Sequence, residues 1–315
     1  IYDNITNGEF MLTKNEFIKN ITITDEVKNH LNNTMNDLEK YLSILTSYSL
    51  EAQYQFLYDY LLKETIDSIR LERQLYSSER LKMLNDVFLI DGKINHEKIK
   101  CINKCMRAND KILSDAEFEK LKKEKNKMMT YIEYKNLMDY NLSGNYRKDI
   151  IWIGDESGIE YALHIPPRPE LIQNYMDDFI KYYNDDKLDN DLNNPIIKAA
   201  LIHIIFIKIH PFANGNGRTV RILMNNYLKM TLNKQYDLNV IFPPINLSKS
   251  FDLSRLSYFQ KQNDIKYDSF TDNNIAFNKW FDYVLVCVDE QLYFLNNRLE
   301  HYKTLLESMS RRKSL

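Results

Sequence analysis

The sequence contains little glycine, proline or cysteine, with seven glycines, seven prolines and three cysteines among 315 residues. Long stretches without glycine or proline favour helices over the frequent turns of a strand-rich fold. Three cysteines are too few for a disulfide scaffold, so we expect the protein to occupy a reducing compartment. Cys101 and Cys105 share a helix face near His96. A metal site there lacks a fourth ligand, and we interpret the cysteines as reduced thiols.

The sequence also lacks a strong net charge and a long hydrophobic run. Its formal net charge of −2 gives no reason to expect nonspecific binding to nucleic acid. The most apolar run, residues 196–209, is short and includes two lysines and a histidine, which indicates a buried helix rather than a membrane span. No segment is typical of a signal peptide. We therefore expect a cytoplasmic protein with neither nucleic acid nor membrane as a partner, and secretion into a host cell stays open as an alternative.

Apolar residues recur at helical spacing through most of the chain. The pattern predicts helices over residues 25–47 and 50–88, and a charged helical stretch over 113–139. Residues 141–165 differ, because β-forming residues flank a turn-like segment that ends at Gly158, which is typical of a β-hairpin. Further helices are predicted over residues 170–183, 195–209, 221–232 and 275–306. The fold class predicted from these patterns is mainly α with one small hairpin.

Residues 210–221, which we call the cradle, concentrate the chemistry of a binding site. The glycines allow successive backbone N–H groups to converge on one anion, and the helix that follows adds the positive end of its dipole. Arg218 and Arg221 lie three residues apart, share a helix face and match phosphate oxygens through forked hydrogen bonds. His210 stands at the other lip of the loop, where it could accept a proton from a hydroxyl. The spacing is not that of a P-loop, and the cradle contains no lysine.

The cradle resembles the signature of Fic domains, HxFx[D/E]GNGRxxR. The histidine, the phenylalanine, the Gly-Asn-Gly-Arg run and the final arginine all match in register, and the resemblance extends more weakly over residues 130–300. It implies a Fic-fold helical core with a small β-hairpin flap, preceded by an N-terminal helical region. We accordingly divide the chain into residues 1–10 (a tag or disordered segment), 11–129 (the N-terminal helical region) and 130–315 (the Fic domain and C-terminal helices).

The resemblance implies transfer of AMP from ATP to a Ser, Thr or Tyr hydroxyl of a target protein. His210 would be the general base, and Tyr258 would lie near the adenine. The target would dock along the flap, residues 150–165, by strand addition. Self-modification and a homodimer are further partnerships that we consider. The remaining residues expected to bind the nucleotide are Asn214, Gly215, Asn216, Gly217, Arg218 and Arg221.

The chain departs from the family pattern at Asn214, where an acid is usual. The resemblance implies Mg²⁺ as the metal that accompanies ATP, with residue 214 as its protein ligand. Mg²⁺ favours carboxylates, but an amide oxygen can still coordinate it, and the phosphates supply most of the negative charge. We therefore expect Asn214 to weaken metal binding rather than to abolish activity, although a changed nucleotide preference or loss of catalysis stays open.

A second motif lies far upstream. Ser68 and Glu72 match the [S/T]xxxE pattern of the family's inhibitory helix, although Arg73 replaces the small residue that usually follows. The resemblance implies that Glu72 pairs with Arg221, so that this arginine is unavailable to the γ-phosphate of ATP. Ser68 lies one helical turn earlier and could form a hydrogen bond on the same face. With Glu72 positioning a water molecule, removal of AMP is a second activity to consider.

Two other interpretations stay open. The chain could be a noncatalytic module of the same fold that binds nucleotides or targets. It could instead be a Fic transferase that uses another nucleotide, phosphocholine or phosphate. A plain helix connection with a C-cap glycine explains one glycine of the cradle, but not His210, Asn216, Arg218 and Arg221 together. Tyr258 is as consistent with a core position as with an adenine contact.

Overall fold

The computed structural model describes residues 18–71, 92–107, 114–125, 130–154, 158–185, 191–266 and 270–313. Helices dominate these residues, and two short strands pair with each other. In chain order the elements are α1 (Asp25–Thr46), α2 (Leu50–Leu71), α3 (His96–Met106), α4 (Asp115–Lys125), α5 (Tyr131–Leu142), β1 (Ile153–Gly154), β2 (Ala162–His164), α6 (Ile172–Asn184), α7 (Pro195–Ile209), α8 (Asn216–Tyr236), α9 (Ser248–Leu253), α10 (Arg255–Asp264) and α11 (Phe270–Lys313).

Helix α7 lies at the centre of the fold. All of its residues except Ile207 are buried, and it packs against α6, α8 and α11. It begins at Pro195 after the N-cap Asn194, whose side-chain oxygen accepts a hydrogen bond from the Ile196 N–H at 2.9 Å. Burial on every side explains why the sequence of α7 is almost uniformly apolar. The C-terminal end of this core helix holds His210.

The N-terminal helices pack on the C-terminal half of the chain. Helix α1 lies along α11, and α2 contacts α9 and α8. Two buried tyrosines fix this arrangement: Tyr41 donates to the Pro244 carbonyl at 2.8 Å, and Tyr60 donates to the Asn246 carbonyl at 2.9 Å. The consequence for the site is that the C-terminal end of α2 lies beside α8.

The hairpin is short and irregular. β1 pairs antiparallel with β2, with Ile153 opposite His164 and Gly154 opposite Ala162, and a bulge lies between the two pairs. Gly154 has a φ of 138°, and a Cβ there would lie 2.8 Å from the Leu163 nitrogen, so this position requires glycine. Leu163 is exposed, whereas His164 is buried. The hairpin therefore has one face towards solvent and one towards α7.

The mainly α prediction with one small hairpin is confirmed, and the element boundaries differ in detail. The charged stretch over 113–139 forms two helices, because Thr130 and Glu133 make a capping box that starts α5. Helix α8 extends to Tyr236 and α11 runs unbroken from Phe270 to Lys313, beyond the predicted ends. Residues 72–88 of the second predicted helix and the proposed tag at 1–10 lie outside the described residues, and the three-part division of the chain stays a prediction. Within the described ranges no helix is both long and apolar enough to cross a membrane.

Candidate active site

The loop from α7 to α8 reverses the chain at the centre of the molecule. His210 ends α7 in the left-handed conformation, with φ 48° and ψ 60°, and its N–H donates to the Phe206 carbonyl at 2.9 Å. A non-glycine residue there costs about 1–2 kcal/mol relative to the right-handed form. The buried core around α7 sustains this conformation, which holds the His210 side chain at the lip of the loop, half-buried.

The His210 ring has a hydrogen-bond partner that suits a base. Its Nδ1 lies 3.2 Å from the Ile207 carbonyl oxygen. Donation from Nδ1–H to this oxygen fixes the neutral tautomer in which Nε2 carries a lone pair. The arrangement leaves Nε2 as the atom that can accept a proton.

Asn216 closes the loop from within. Its Oδ1 accepts the Phe212 N–H at 3.0 Å, and its Nδ2 donates to the Phe212 carbonyl at 2.8 Å. The side chain is almost fully buried, so in this structure it fixes the loop. Gly215, with φ 79°, precedes the first residue of α8, and no side chain in the described part of the chain caps that helix start. The first N–H groups of α8 therefore form the anion-binding end of the cradle.

Asn214 lies exposed at the rim of the cradle. Its Oδ1 accepts the Gly215 N–H at 2.6 Å, and its carbonyl oxygen accepts Asn103 Nδ2 at 3.0 Å. The fully buried Asn103 of α3 also donates to Thr219 Oγ1 at 3.1 Å, so it links the loop to the first turn of α8. Sequence reasoning missed Asn103, because a lone asparagine in a helix carries no signal of a partner 111 residues away.

The two arginines of the cradle contact two other helices. Arg218 is 1% exposed, and its Nη1 donates to the carbonyl of Met106, the last residue of α3, at 2.7 Å. Arg221 is 2% exposed and donates to Ser68 of α2, from Nε to the hydroxyl at 2.8 Å and from Nη2 to the carbonyl at 2.9 Å. Each guanidinium thus binds a backbone carbonyl of a neighbouring helix, Met106 at the end of α3 and Ser68 within α2.

Tyr258 supports Arg221 from the core side. It is 1% exposed, and its hydroxyl oxygen accepts Arg221 Nη1 at 3.2 Å and lies 2.9 Å from His203 Nε2. Burial, and secondarily the positive Arg221, lowers the pKa of His203 to about 3. His203 is therefore neutral, and its Nε2 accepts a hydrogen bond from the Tyr258 hydroxyl. The Tyr258 ring also packs against Phe251 and Trp280, so in this structure its described contacts are with the core and with Arg221.

Glu64 holds α2 against α8 and the start of α9. The carboxylate accepts hydrogen bonds from the Ser248 N–H at 3.0 Å, from Asn225 Nδ2 at 3.1 Å and from the Ser248 hydroxyl. Burial raises its pKa, and the hydrogen bonds from Ser248 and Asn225 oppose that rise. At the end of the same helix Arg255 Nε donates to the Leu71 carbonyl at 2.9 Å. Glu72, which we predicted to be inhibitory, lies outside the described residues.

Comparisons with known proteins match part of the chain to one family. Residues 118–228 match the Fic/DOC family. The chain is 36% identical over 105 residues to the protein adenylyltransferase Fic of Nematostella vectensis, covering 33% of this chain and 20% of that protein. It is 29% identical over 121 residues to the protein of the same name from Aedes aegypti, covering 38% and 20%. The match thus spans about a fifth of these relatives.

Two solved structures share the fold at low identity. One is a Fic domain containing signaling protein from Bacteroides thetaiotaomicron, with a TM-score of 0.52 and 17% identity over 85% of this chain and 97% of that one. The other is a Fic family protein from Desulfovibrio desulfuricans, with a TM-score of 0.50 and 14% identity over 88% and 76%. The Fic-fold prediction is confirmed by these likenesses.

Proposed function

Because residues 118–228 of this chain are a Fic/DOC domain, we propose that the protein transfers AMP from ATP to a Ser, Thr or Tyr hydroxyl of a target protein. One observation carries the proposal: the left-handed His210 lies on the same loop as the start of α8, which no described side chain caps. Arg218 and Arg221 stand on the first turns of that helix. A base and an anion site thus share one loop.

The reaction uses each part of this loop. His210 Nε2 accepts the proton of the target hydroxyl, and the hydroxyl oxygen attacks the α-phosphorus of ATP. The bond from that phosphorus to the bridging oxygen breaks, and pyrophosphate leaves. The first N–H groups of α8 stabilise the charge that develops on the phosphate oxygens, and the arginines face the β- and γ-phosphates.

The cradle fits Mg²⁺ as a companion of ATP. Asn214 is exposed, and its amide oxygen accepts a single described hydrogen bond, so one lone pair remains for a cation. In the described part of the chain no cluster of three or more His, Cys, Asp or Glu could hold a metal. When bound, Mg²⁺ would neutralise phosphate charge, with the phosphates as its main ligands.

We propose that α2 inhibits the transfer. Three N–H groups of Arg221, one on each nitrogen, are directed at Ser68 and Tyr258, so a γ-phosphate that binds the edge formed by Nε and Nη2 would have to replace the Ser68 contacts. Glu72 follows Ser68 by four residues, on the same helical face if α2 continues. Its carboxylate would compete with the γ-phosphate for the guanidinium. Removal of AMP by water, with Glu72 as the positioning group, is the accompanying activity.

One observation favours a second candidate, a transfer from another donor. Asn214 stands where the family pattern has an acid, and a weaker metal site changes how the phosphates of the donor are held. ATP labelled on the α-phosphate and ATP labelled on the γ-phosphate separate the candidates.

The proposal predicts label on protein from the α-position only, and its loss in His210→Ala. Label from the γ-position alone would indicate phosphate transfer. Label from neither would exclude ATP as the donor, and a panel of other labelled nucleotides would then separate transfer from another donor from a noncatalytic module.

A further inference from the structure

Arg147 is a buried residue next to the catalytic loop that the proposed reaction does not use. It is 2% exposed and lies between α5 and the flap. Its Nε donates to the His210 carbonyl at 2.9 Å, and its backbone N–H donates to the Pro211 carbonyl at 2.8 Å. The residue therefore contacts the backbone of the proposed base at two successive positions.

The same guanidinium also contacts both ends of the flap. Nη1 donates to the Asp149 carbonyl at 2.8 Å, just before the hairpin, and Nη2 donates to the Pro167 carbonyl at 2.5 Å, just after it. A guanidinium is planar and its N–H groups diverge at fixed angles. Three carbonyl groups bound to one such plane cannot change their spacing without losing a hydrogen bond.

A second buried contact joins the flap to the end of α7. His164 of β2 donates from Nε2 to the Lys208 carbonyl at 2.8 Å, two residues before His210. Burial, with the nearby Lys208 as a smaller cause, holds the pKa of His164 well below its ordinary value. The ring is therefore neutral, and its protonated Nε2 serves this hydrogen bond.

From this geometry we propose that Arg147 is a positioning residue that fixes the flap, where the target would dock, at one distance and angle from His210. Its catalytic consequence rests on the proposed AMP transfer. Four described hydrogen bonds of Arg147 go to residues outside α8. Loss of this side chain should therefore change the approach of the hydroxyl to the base and leave nucleotide binding in place.

Three measurements on Arg147→Met test the proposal, with Lys148→Met as the matched control because Lys148 is the neighbouring exposed cation. Amide hydrogen exchange should become about tenfold faster or more over residues 150–154, 158–166 and 208–212, since the variant loses the three hydrogen bonds through which the guanidinium joins these segments. Exchange over 216–236 should stay unchanged. Affinity for the nonhydrolysable analogue AMPCPP, measured by calorimetry, should stay within about threefold, because the phosphate-binding groups of α8 are untouched.

The third measurement is single-turnover AMP incorporation into the protein itself from α-labelled ATP. It should fall by about 10²-fold, the usual consequence of a misplacement near 1 Å. Arg147→Lys keeps the charge and a single donor nitrogen, so it should restore part of the rate. If Arg147→Met fails to fold, the same measurements are made on Arg147→Lys. Lys148→Met should match wild type in all three measurements.

Unchanged exchange in the flap and in 208–212, or a loss of AMPCPP affinity as large as the loss of rate, would overturn the positioning role. If neither the wild type nor Glu72→Gly incorporates AMP, the proposed function fails, and hydrogen exchange still decides whether Arg147 holds the flap to the loop.

Discussion

Arg218 and Arg221 stand three residues apart on α8, and each binds a backbone carbonyl of another helix, but the two contacts differ in kind. On the α3 side, Asn103 also bonds the loop backbone at Asn214 and the hydroxyl of Thr219. That helix is part of the cradle wall. On the α2 side, Arg221 holds Ser68 through its guanidinium, which is the group that a γ-phosphate would need. One helix therefore holds the loop in place, and the other, on our proposal, competes with the nucleotide for Arg221.

The largest effect is expected from a variant that removes the proposed base and leaves the contacts of both arginines intact. His210→Ala should reduce AMP transfer by about 10²–10⁴-fold, the usual contribution of a general base. ATP should still bind, because the arginines and the start of α8 are unchanged. Transfer by the purified variant at nearly the wild-type rate would show that His210 is not the base. The different contacts of the two arginines would then have no demonstrated bearing on catalysis.

The next prediction concerns the pH dependence of stability. It tests His203, which binds the Tyr258 hydroxyl that in turn binds Arg221. The folded pKa of His203 is about 3, below its ordinary value of 6.5, so the unfolded chain binds a proton that the folded chain does not as pH falls through that window. The free energy of unfolding should drop by about 2–3 kcal/mol from this group between pH 6.5 and 4.5.

His203→Gln should show a correspondingly smaller loss in urea titrations at the two pH values. His164 also has a lowered pKa, but it is present in both proteins, so their difference isolates His203. Equal losses in the two proteins would contradict the role of His203 as the neutral acceptor from Tyr258.

The contacts on the α3 side should stabilise the fold and the loop rather than inhibit transfer. Asn103→Leu removes the donor to the Asn214 carbonyl and to Thr219 in a fully buried position. The free energy of unfolding should fall by about 1–3 kcal/mol, the usual cost of leaving buried polar groups without a partner. AMP transfer should fall as well. A rise in transfer would mean that α3, like α2, limits the use of the cradle.

The smallest effect is expected from a substitution of Asn214, at the rim of the cradle. Asn214→Asp supplies an anionic oxygen that Mg²⁺ prefers, and it should lower the Mg²⁺ concentration at half-maximal transfer by a few-fold. A titration of rate against Mg²⁺ for both proteins measures this. The same half-saturation for both would exclude Asn214 as a metal ligand.

The parts of this molecule that the sequence could predict are the local ones. The cradle is a run of twelve residues, and periodic apolar spacing predicts most helices. The start of α5 could also have been found, because Thr130 and Glu133 have the spacing of a capping box. Asn103, Arg147 and Glu64 could not, because their partners lie 111, 63 and 184 residues away and only the packed fold brings them together.

The most direct test of the central claim is intact mass after incubation with ATP and Mg²⁺. Three proteins are compared: wild type, Glu72→Gly and the double variant Glu72→Gly/Arg221→Ala. If α2 competes with the γ-phosphate for Arg221, Glu72→Gly should gain more AMP, by mass, than wild type, and the double variant should lose that gain. Equal AMP incorporation in wild type and Glu72→Gly would contradict the claim that α2 inhibits the site, even if His210 proves to be the base.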